Sequence, residues 1–255
     1  RAPEPPAAAT RRPVVPPRVA APCGGASEVP AKKFGCGPAT LPIDYSEIDG
    51  NPVNRFFMSV FRARMVAELG VEDEVSPGFK GIVELSRMMH TPGRPRETTE
   101  KSKRIIMGLF PGFIPPLYAA LVSRPFPETS ARITAWFSSV CTKWLMGPNE
   151  INEDGLGLKV ERCRYLEESG CLSICLNGCK TPTQEFFKES MGLDLWMEPD
   201  VSDFSCQYRF GKAPPDPAEE KVFQAPCFKG CAMSKGMEPE MRIATSCKTP
   251  PGPEA

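Results

Sequence analysis

The sequence predicts an α+β fold, with a helical N-terminal layer and a small Cys-rich sheet-and-helix unit at the C-terminal end. Apolar residues recur every three to four positions across residues 43–150, and this period is typical of helices. Residues 157–211 instead contain short alternating runs that favour strands. Eight of the 11 cysteines lie after residue 160, which sets the second region apart chemically.

The two ends of the chain differ from its middle. Residues 1–42 are rich in Pro and Ala, and their basic residues outnumber their acidic ones. This composition predicts a disordered arm or the remnant of an organelle transit peptide. Residues 233–255 lack apolar periodicity, which predicts a flexible tail. We therefore expect a helical region over 43–150 and a Cys-rich domain over 151–232.

Capping signals mark the helices of the N-terminal region. Asn51 followed by Pro52 predicts a helix start, because Asn caps the first turn and Pro fits the first helical position. Gly70 ends that apolar pattern. The spacing predicts three further helices, over 78–89, 96–110 and 128–146. The last has an apolar stripe of Ile133, Trp136, Val140 and Trp144.

The uncharged segment 105–122 is long enough to raise the question of a membrane span. Its prolines, at 111, 115 and 116, remove backbone donors that hydrocarbon cannot replace, so we predict no transmembrane helix. Two interpretations remain. The segment forms a buried helix-turn-helix, or it forms an apolar surface that touches lipid or a lipid-like substrate. The second assigns substrate contacts to Phe110, Phe113, Leu117 and Tyr118.

Strands are predicted over 158–166, 193–197 and 204–210. Between the first two, Thr181, Pro182 and Gln184 have the spacing of a capping box, which predicts a helix start at Thr181. That helix would end at Gly192.

Charge and histidine content exclude several classes of function. The 31 basic residues balance the 31 acidic ones, so no basic surface indicates nucleic acid as a partner. His90 is the only histidine, which excludes a two-His iron site and a multi-His zinc site within one chain. We interpret His90 as a surface residue at a helix C-terminus. A metal held by this chain would therefore depend on thiolates.

The cysteines are spaced in steps of four. Cys171, Cys175 and Cys179 follow this step, and Cys227 and Cys231 repeat it. On a regular helix, residues four apart lie one above the other, about 6 Å apart. Two such pairs can supply the four thiolates of an iron–sulfur cluster.

The cofactor prediction is therefore iron, as an iron–sulfur cluster bound by Cys171, Cys175, Cys179, Cys227 and Cys231. The full set of candidate metal ligands adds two cysteines and is Cys163, Cys171, Cys175, Cys179, Cys206, Cys227 and Cys231. Disulfides and the packing of buried thiols remain alternatives.

At these residues the sequence resembles a known family. The run VERCRYLEESGCLSICLNGCKTPTQ, the MEP turn, the FSCQYRFG stretch and the later PCFKGC resemble the C-terminal domain of plastid β-carotene isomerases. The resemblance covers roughly residues 155–231. The Pro-rich N-terminal arm is similar to a green-algal sequence, so we expect an algal paralogue.

The resemblance implies an iron-containing chloroplast protein that interconverts all-trans-β-carotene and its 9-cis isomer. It implies a place in the stroma or on the stromal face of the thylakoid, with a carotenoid and a thylakoid or envelope membrane as partners. Two mechanisms are consistent with the residues: one-electron exchange between an iron–sulfur centre and the polyene, or reversible addition of a thiolate such as Cys163 or Cys206. The alternative is a non-catalytic factor that docks on a photosystem complex during assembly or repair.

Overall fold

The computed structural model describes residues 43–91 and 93–229 and confirms the α+β class. The predicted arm at 1–42 and tail at 233–255 lie outside these residues. The N-terminal region is helical: α1 Ser46–Gly50, α2 Pro52–Leu69, α3 Gly78–Met89, α4 Pro95–Met107, α5 Ile114–Tyr118, α6 Pro127–Cys141 and α7 Lys143–Met146. A π turn, Ala119–Ser123, continues α5.

The second region contains four strands and four short α-helices. The strands are β1 Asn149–Ile151, β2 Gly157–Val160, β3 Leu195–Pro199 and β4 Cys206–Phe210. They form one antiparallel sheet in the order β1-β2-β4-β3. The helices are α8 Arg164–Ser169, α9 Leu172–Ile174, α10 Thr181–Phe186 and α11 Pro226–Lys229, with a 3-10 turn over Lys221–Gln224.

Local signals set the bounds of the first long helices, as predicted. The side chain of Asn51 accepts hydrogen bonds from the backbone N–H groups of Val53 and Asn54 at the start of α2. Gly70 ends α2 in the left-handed conformation at φ 64°. The predicted helix over 78–89 is confirmed at both ends by α3.

The uncharged segment 105–122 does not form one continuous helix. It includes the last turn of α4, a turn at Pro111, then α5 with Pro115 in its first turn, and most of the π turn. The predicted helix end at Phe110 is three residues too late, since α4 ends at Met107. The prediction of a buried helix-turn-helix is wrong for four residues of this segment, which are exposed: Phe113, Ile114, Leu117 and Leu121.

The first predicted strand was too long. β2 ends at Val160, and the chain then turns into α8. Arg164 explains the turn, because its guanidinium bonds both carboxylate oxygens of Asp49 at 2.6 and 2.8 Å and also bonds Glu168 one helical turn later, at 2.6 Å. This contact between α8 and α1 fixes Arg164 in a helix that the alternation did not predict.

α10 begins at Thr181 and the helical run ends at Gly192 as predicted, but the predicted capping role of Thr181 is wrong. Residues 172–191 form one helical run in which α9 and α10 alternate with the π turns Cys175–Lys180 and Phe187–Met191. Thr181 lies inside this run with helical dihedral angles. The Gln184 side chain instead accepts from the Lys180 ammonium at 3.0 Å and from the Met197 N–H at 2.9 Å. Pro182 has no N–H to donate, and the wider turn before it accommodates that loss.

One buried apolar cluster includes residues of both regions, from Met65 on α2 to Phe228 on α11. The helical run 172–191 packs between α4 and the sheet. This arrangement places the Cys-rich helical run against the apolar faces of the N-terminal helices.

Candidate functional site

A large apolar cavity lies between the N-terminal helices and the Cys-rich region. Its volume is about 730 Å³, within the roughly 300–1,000 Å³ that is usual for small-molecule sites. Residues of α2, α4, α5, α6 and α7 form one side, and residues of the run 172–191 with β3 and β4 form the other. The cavity is open to the surface beside α5 and α6, where Ile114, Ile133, Trp136 and Phe137 line it and are also exposed.

The cavity is lined almost entirely by hydrocarbon. Within the described ranges, none of its lining residues is an Asp, Glu, Lys or Arg. One wall is a continuous series of aromatic rings. Phe110 stacks on Phe186 with ring centroids 5.6 Å apart, Phe186 meets Phe187 edge-on at 5.4 Å, and Phe187 meets Phe210 edge-on at 5.5 Å. Such a wall suits a long, flat, apolar molecule.

Cys179 is a cysteine on the inner wall of the cavity. It lies in the first π turn of the run 172–191 and lines the cavity. The hydroxyl groups of Tyr208, on β4, and Thr183 hydrogen-bond to its sulfur. Burial raises the pKa of the Cys179 thiol to about 12, whereas these two hydroxyl groups act in the opposite direction. Cys179 is therefore a neutral thiol at neutral pH, held in a defined orientation.

The two tyrosines beside this thiol are also neutral. Burial raises the pKa of Tyr208 and of Tyr165, and both rings line the cavity. The Tyr165 hydroxyl donates to the Ser86 hydroxyl at 2.9 Å. Gly178 allows the close approach here, since a Cβ at this position would lie 3.2 Å from the Tyr165 oxygen and 3.4 Å from the His90 ring.

The surface interpretation of His90 is wrong. Its side chain is buried behind Gly178, with Nδ1 2.8 Å from the Ser86 carbonyl and Nε2 3.2 Å from the Ser173 carbonyl. Burial lowers the pKa of His90. His90 therefore connects α3 to the helical run 172–191. The sequence had instead predicted a charged residue on the surface at the end of α3.

The structure separates the predicted cysteine ligands. Cys163, Cys175 and Cys206 are buried in the core, Cys171 is half-buried, and Cys227 is exposed. Cys231 lies outside the described residues. The stacking expected for a step of four does not hold, because Cys171 precedes α9 in extended conformation and Cys175 begins a π turn. The disulfide alternative is wrong for five cysteines that are free thiols in the structure: Cys141, Cys163, Cys175, Cys179 and Cys206.

These positions do not by themselves fit an iron centre. In the described part of the chain, no three His, Cys, Asp or Glu side chains are grouped to hold one metal ion. Burial also raises the pKa of the thiols of Cys163, Cys175 and Cys206, whereas a metal ligand is a thiolate. The predicted iron–sulfur cluster stays a prediction, since one of its five proposed ligands, Cys231, is not among the described residues.

The predicted substrate contacts divide into two pairs. Phe110 and Tyr118 line the cavity. Phe113 and Leu117 do not line it and are 68% and 51% exposed on the outer surface of the same segment. Sequence reasoning missed Tyr208 and Tyr165 as partners of the site. The alternation along β4 placed Tyr208 on a buried face, but nothing local indicated that it would meet Cys179.

Part of the chain is similar to a family of known proteins. Residues 144–219 match the family model described as Beta-carotene isomerase D27-like, C-terminal. The chain is therefore similar, over this region, to the C-terminal part of D27-like β-carotene isomerase proteins. It is 32% identical to the chloroplastic β-carotene isomerase D27 of Arabidopsis thaliana over 146 residues, and 29% identical to that of Medicago truncatula over 178 residues.

The matched region is only part of these relatives. It spans 55% of the Arabidopsis protein and 69% of the Medicago protein, and 54% and 66% of this chain. No solved structure matches the chain. Among residues 43–91 and 93–229, no helix combines the length and apolar composition needed to cross a bilayer.

Proposed function

We propose that this chain isomerises a double bond of β-carotene or a related carotenoid in the apolar cavity. The observation that carries the proposal is the position of one thiol, Cys179, which two hydroxyl groups orient on the inner wall of an uncharged and mainly apolar cavity. The family match supports the same reaction, since both curated relatives are named β-carotene isomerase. Those names also favour the isomerase over the non-catalytic docking factor.

The cavity suits the chemistry of a polyene. A carotenoid offers no charge and, as a carotene, no hydrogen-bonding group, so an uncharged, aromatic lining complements it along its length. The aromatic series from Phe110 to Phe210, with one stacked and two edge-on contacts, would contact the polyene along its length. One double bond would then lie against the Cys179 sulfur, with water kept out by the surrounding apolar side chains.

Reversible addition of the Cys179 sulfur accounts for the isomerisation. A π bond blocks rotation, so its order must fall briefly. Before the substrate binds, the Cys179 S–H proton passes to solvent and leaves a small fraction of thiolate. The thiolate lone pair then forms an S–C bond, and the π electrons of the attacked double bond spread along the polyene as a delocalised carbanion. The former double bond rotates as a single bond, and return of the electrons expels the thiolate, so atoms and electrons balance. Tyr208 and Thr183 would stabilise the thiolate through their hydroxyl groups.

This proposal replaces the two thiols expected from sequence. Cys163 and Cys206 are buried and do not line the cavity. The alternative of one-electron exchange with an iron–sulfur centre stays a prediction, and iron and labile-sulfide analysis of protein purified without oxygen tests it. A chloroplast location, on the stromal side and near a thylakoid or envelope membrane that holds the carotenoid, belongs to the same proposal; the relatives' chloroplastic names support the organelle.

The test compares two cysteines that both line the cavity. Cys141, on α6, also lines it, but its pKa is raised by burial alone. We expect Cys179→Ser to abolish conversion of all-trans-β-carotene to cis isomers and Cys141→Ser to retain it. Both variants should still bind carotenoid, measured as quenching of Trp136 and Trp144, which line the same cavity.

Two results would contradict this reasoning. Full activity in Cys179→Ser would show that the sulfur of Cys179 does not add to the double bond. Loss of both activity and carotenoid binding in both variants would show that the substitutions disturb the cavity, and would contradict the expected tolerance of Cys141→Ser.

The pH dependence of turnover separates thiolate addition from one-electron exchange. Addition by a thiolate with a pKa of about 12 predicts turnover that rises about tenfold per pH unit through the neutral range. A flat profile would favour one-electron exchange.

A further inference from the structure

A set of large apolar side chains lies exposed around the mouth of the cavity. These side chains are between 43% and 68% exposed, and we call them the apolar rim: Phe113, Leu117, Leu121, Phe126, Trp136 and Val140. They come from α5, its π turn, α6 and the connection between these helices. Scattered single apolar residues on a surface need no explanation, but a grouped set of this kind marks an interaction surface.

The rim is continuous with the cavity. Leu117 and Leu121 lie on the same short helical segment as Ile114 and Tyr118, which line the cavity, and Trp136 belongs to both the lining and the rim. The π turn that carries Leu121 packs against α6. An apolar molecule could therefore pass from whatever covers the rim into the cavity without meeting water.

Within segment 105–148, the charged residues outside one ion pair are all basic. Segment 105–148 contains four charged residues, of which Glu128 and Arg132 pair with each other at 2.9 Å. The other two, Arg124 and Lys143, are basic and exposed. Basic side chains next to an apolar surface complement the anionic lipid of a bilayer.

From these observations we infer that the apolar rim inserts into one leaflet of a lipid bilayer, so that the cavity opens directly into the membrane. The inference rests on the proposed function, because a carotenoid dissolves in lipid and not in water. Neither α5 nor α6 crosses the bilayer in this arrangement. Their apolar side chains enter the interface, and Arg124 and Lys143 remain at the level of the headgroups.

The test measures co-sedimentation of the purified chain with phosphatidylcholine vesicles, with and without added phosphatidylglycerol. We expect binding to both, strengthened by the anionic lipid by up to about fivefold for each basic residue. Leu121→Glu and Phe126→Glu should each lower the partition coefficient between vesicles and water about tenfold or more. Each variant loses the free energy gained when the apolar side chain moves from water into lipid. Met88→Glu is the matched control, because Met88 is an exposed apolar residue on α3 that does not line the cavity.

A second readout separates failure of this inference from failure of the proposed function. Leu121→Glu should isomerise β-carotene dispersed in detergent as fast as the wild type does, and should lose activity on β-carotene embedded in vesicles. A wild type that is active in detergent but does not bind vesicles overturns the inference alone. A wild type that binds vesicles but is inactive in both media overturns the proposed function alone.

A second copy of the chain is the competing occupant of the rim. Sedimentation velocity without lipid should show a monomer. A dimer that Leu121→Glu dissociates, together with no vesicle binding, would assign the rim to self-association and contradict membrane insertion. Circular dichroism of each variant checks that the exposed substitutions leave the helices intact.

Discussion

The buried ion pair between Lys180 and Glu220 is expected to be essential for stability, and Glu220→Gln tests it. The Lys180 ammonium lies 2.7 and 2.9 Å from the two Glu220 oxygens, and the two side chains are 1% and 5% exposed. Removing one charge leaves the other buried without its counter-charge, which costs about 3–5 kcal/mol. For a domain of this size, that loss corresponds to a melting temperature lower by roughly 6–20 °C.

The pair also fixes the chain after β4 to the cysteine-bearing helical run. Lys180 follows Cys179 directly, and Glu220 precedes the 3-10 turn, whose Phe223 ring lies 5.5 Å from the ammonium. Trp196 donates its indole N–H to Glu220 at 3.3 Å. Loss of Glu220 should therefore loosen the segment 220–229 and the wall behind Cys179 together.

Urea denaturation followed by tryptophan fluorescence gives the free energy of unfolding for each variant. The control is the double variant Lys180→Met with Glu220→Leu, which removes both charges and should be more stable than Glu220→Gln alone. It should not fully recover the wild-type value, because the Trp196 N–H loses its acceptor. If Glu220→Gln unfolds with the wild-type free energy, or if the double variant is no more stable than Glu220→Gln, the assigned role of the pair is wrong.

Two further predictions concern the frame of the site. Gly157→Ala would place a Cβ 2.0 Å from the Tyr208 carbonyl oxygen across the β2–β4 pairing, so we expect unfolding to become easier by about 1–3 kcal/mol in denaturant titrations, with a wild-type result refuting the contact. Because burial lowers the pKa of His90 below 6.5, the unfolded chain binds the proton first, and the free energy of unfolding should fall below pH 6.5 by up to about 1.4 kcal/mol per pH unit. His90→Gln should remove that dependence in the range just below pH 6.5, since His90 is the only histidine.

Elements with local signals were predictable from the sequence. Asn51 and Gly70 mark the ends of α2 by their own side-chain and backbone properties, and α3 has a clear apolar period. Elements that depend on distant partners were not. The strand β1 is three residues long and has no alternation of its own, and it exists because it pairs with β2. Likewise, Arg164 lies in a helix because Asp49, 115 positions earlier, receives its guanidinium.

The cysteine pattern shows a different kind of limit. A step of four predicts a shared face only if the helix is regular, and the π turns of the run 172–191 remove that condition. Cys175 consequently faces the core, and Cys179 faces the cavity. Spacing therefore identified the region that contains the proposed reactive thiol, but the proposal of Cys179 depended on Tyr208, which comes from a strand 29 residues later.

The stripe on α6 illustrates why an apolar period does not by itself identify a core. Ile133, Trp136 and Val140 lie on one face, as their spacing predicts, yet the structure leaves them between 43% and 60% exposed. Trp144, at the end of the predicted stripe, is buried against Phe61, with ring centroids 5.3 Å apart. The apolar period of α6 predicts which side chains share one face of the helix. It does not predict whether protein or another apolar environment covers that face. In the proposed arrangement, lipid at the rim and a carotenoid in the cavity would cover these apolar side chains in place of a protein core, so the two proposals must be tested together.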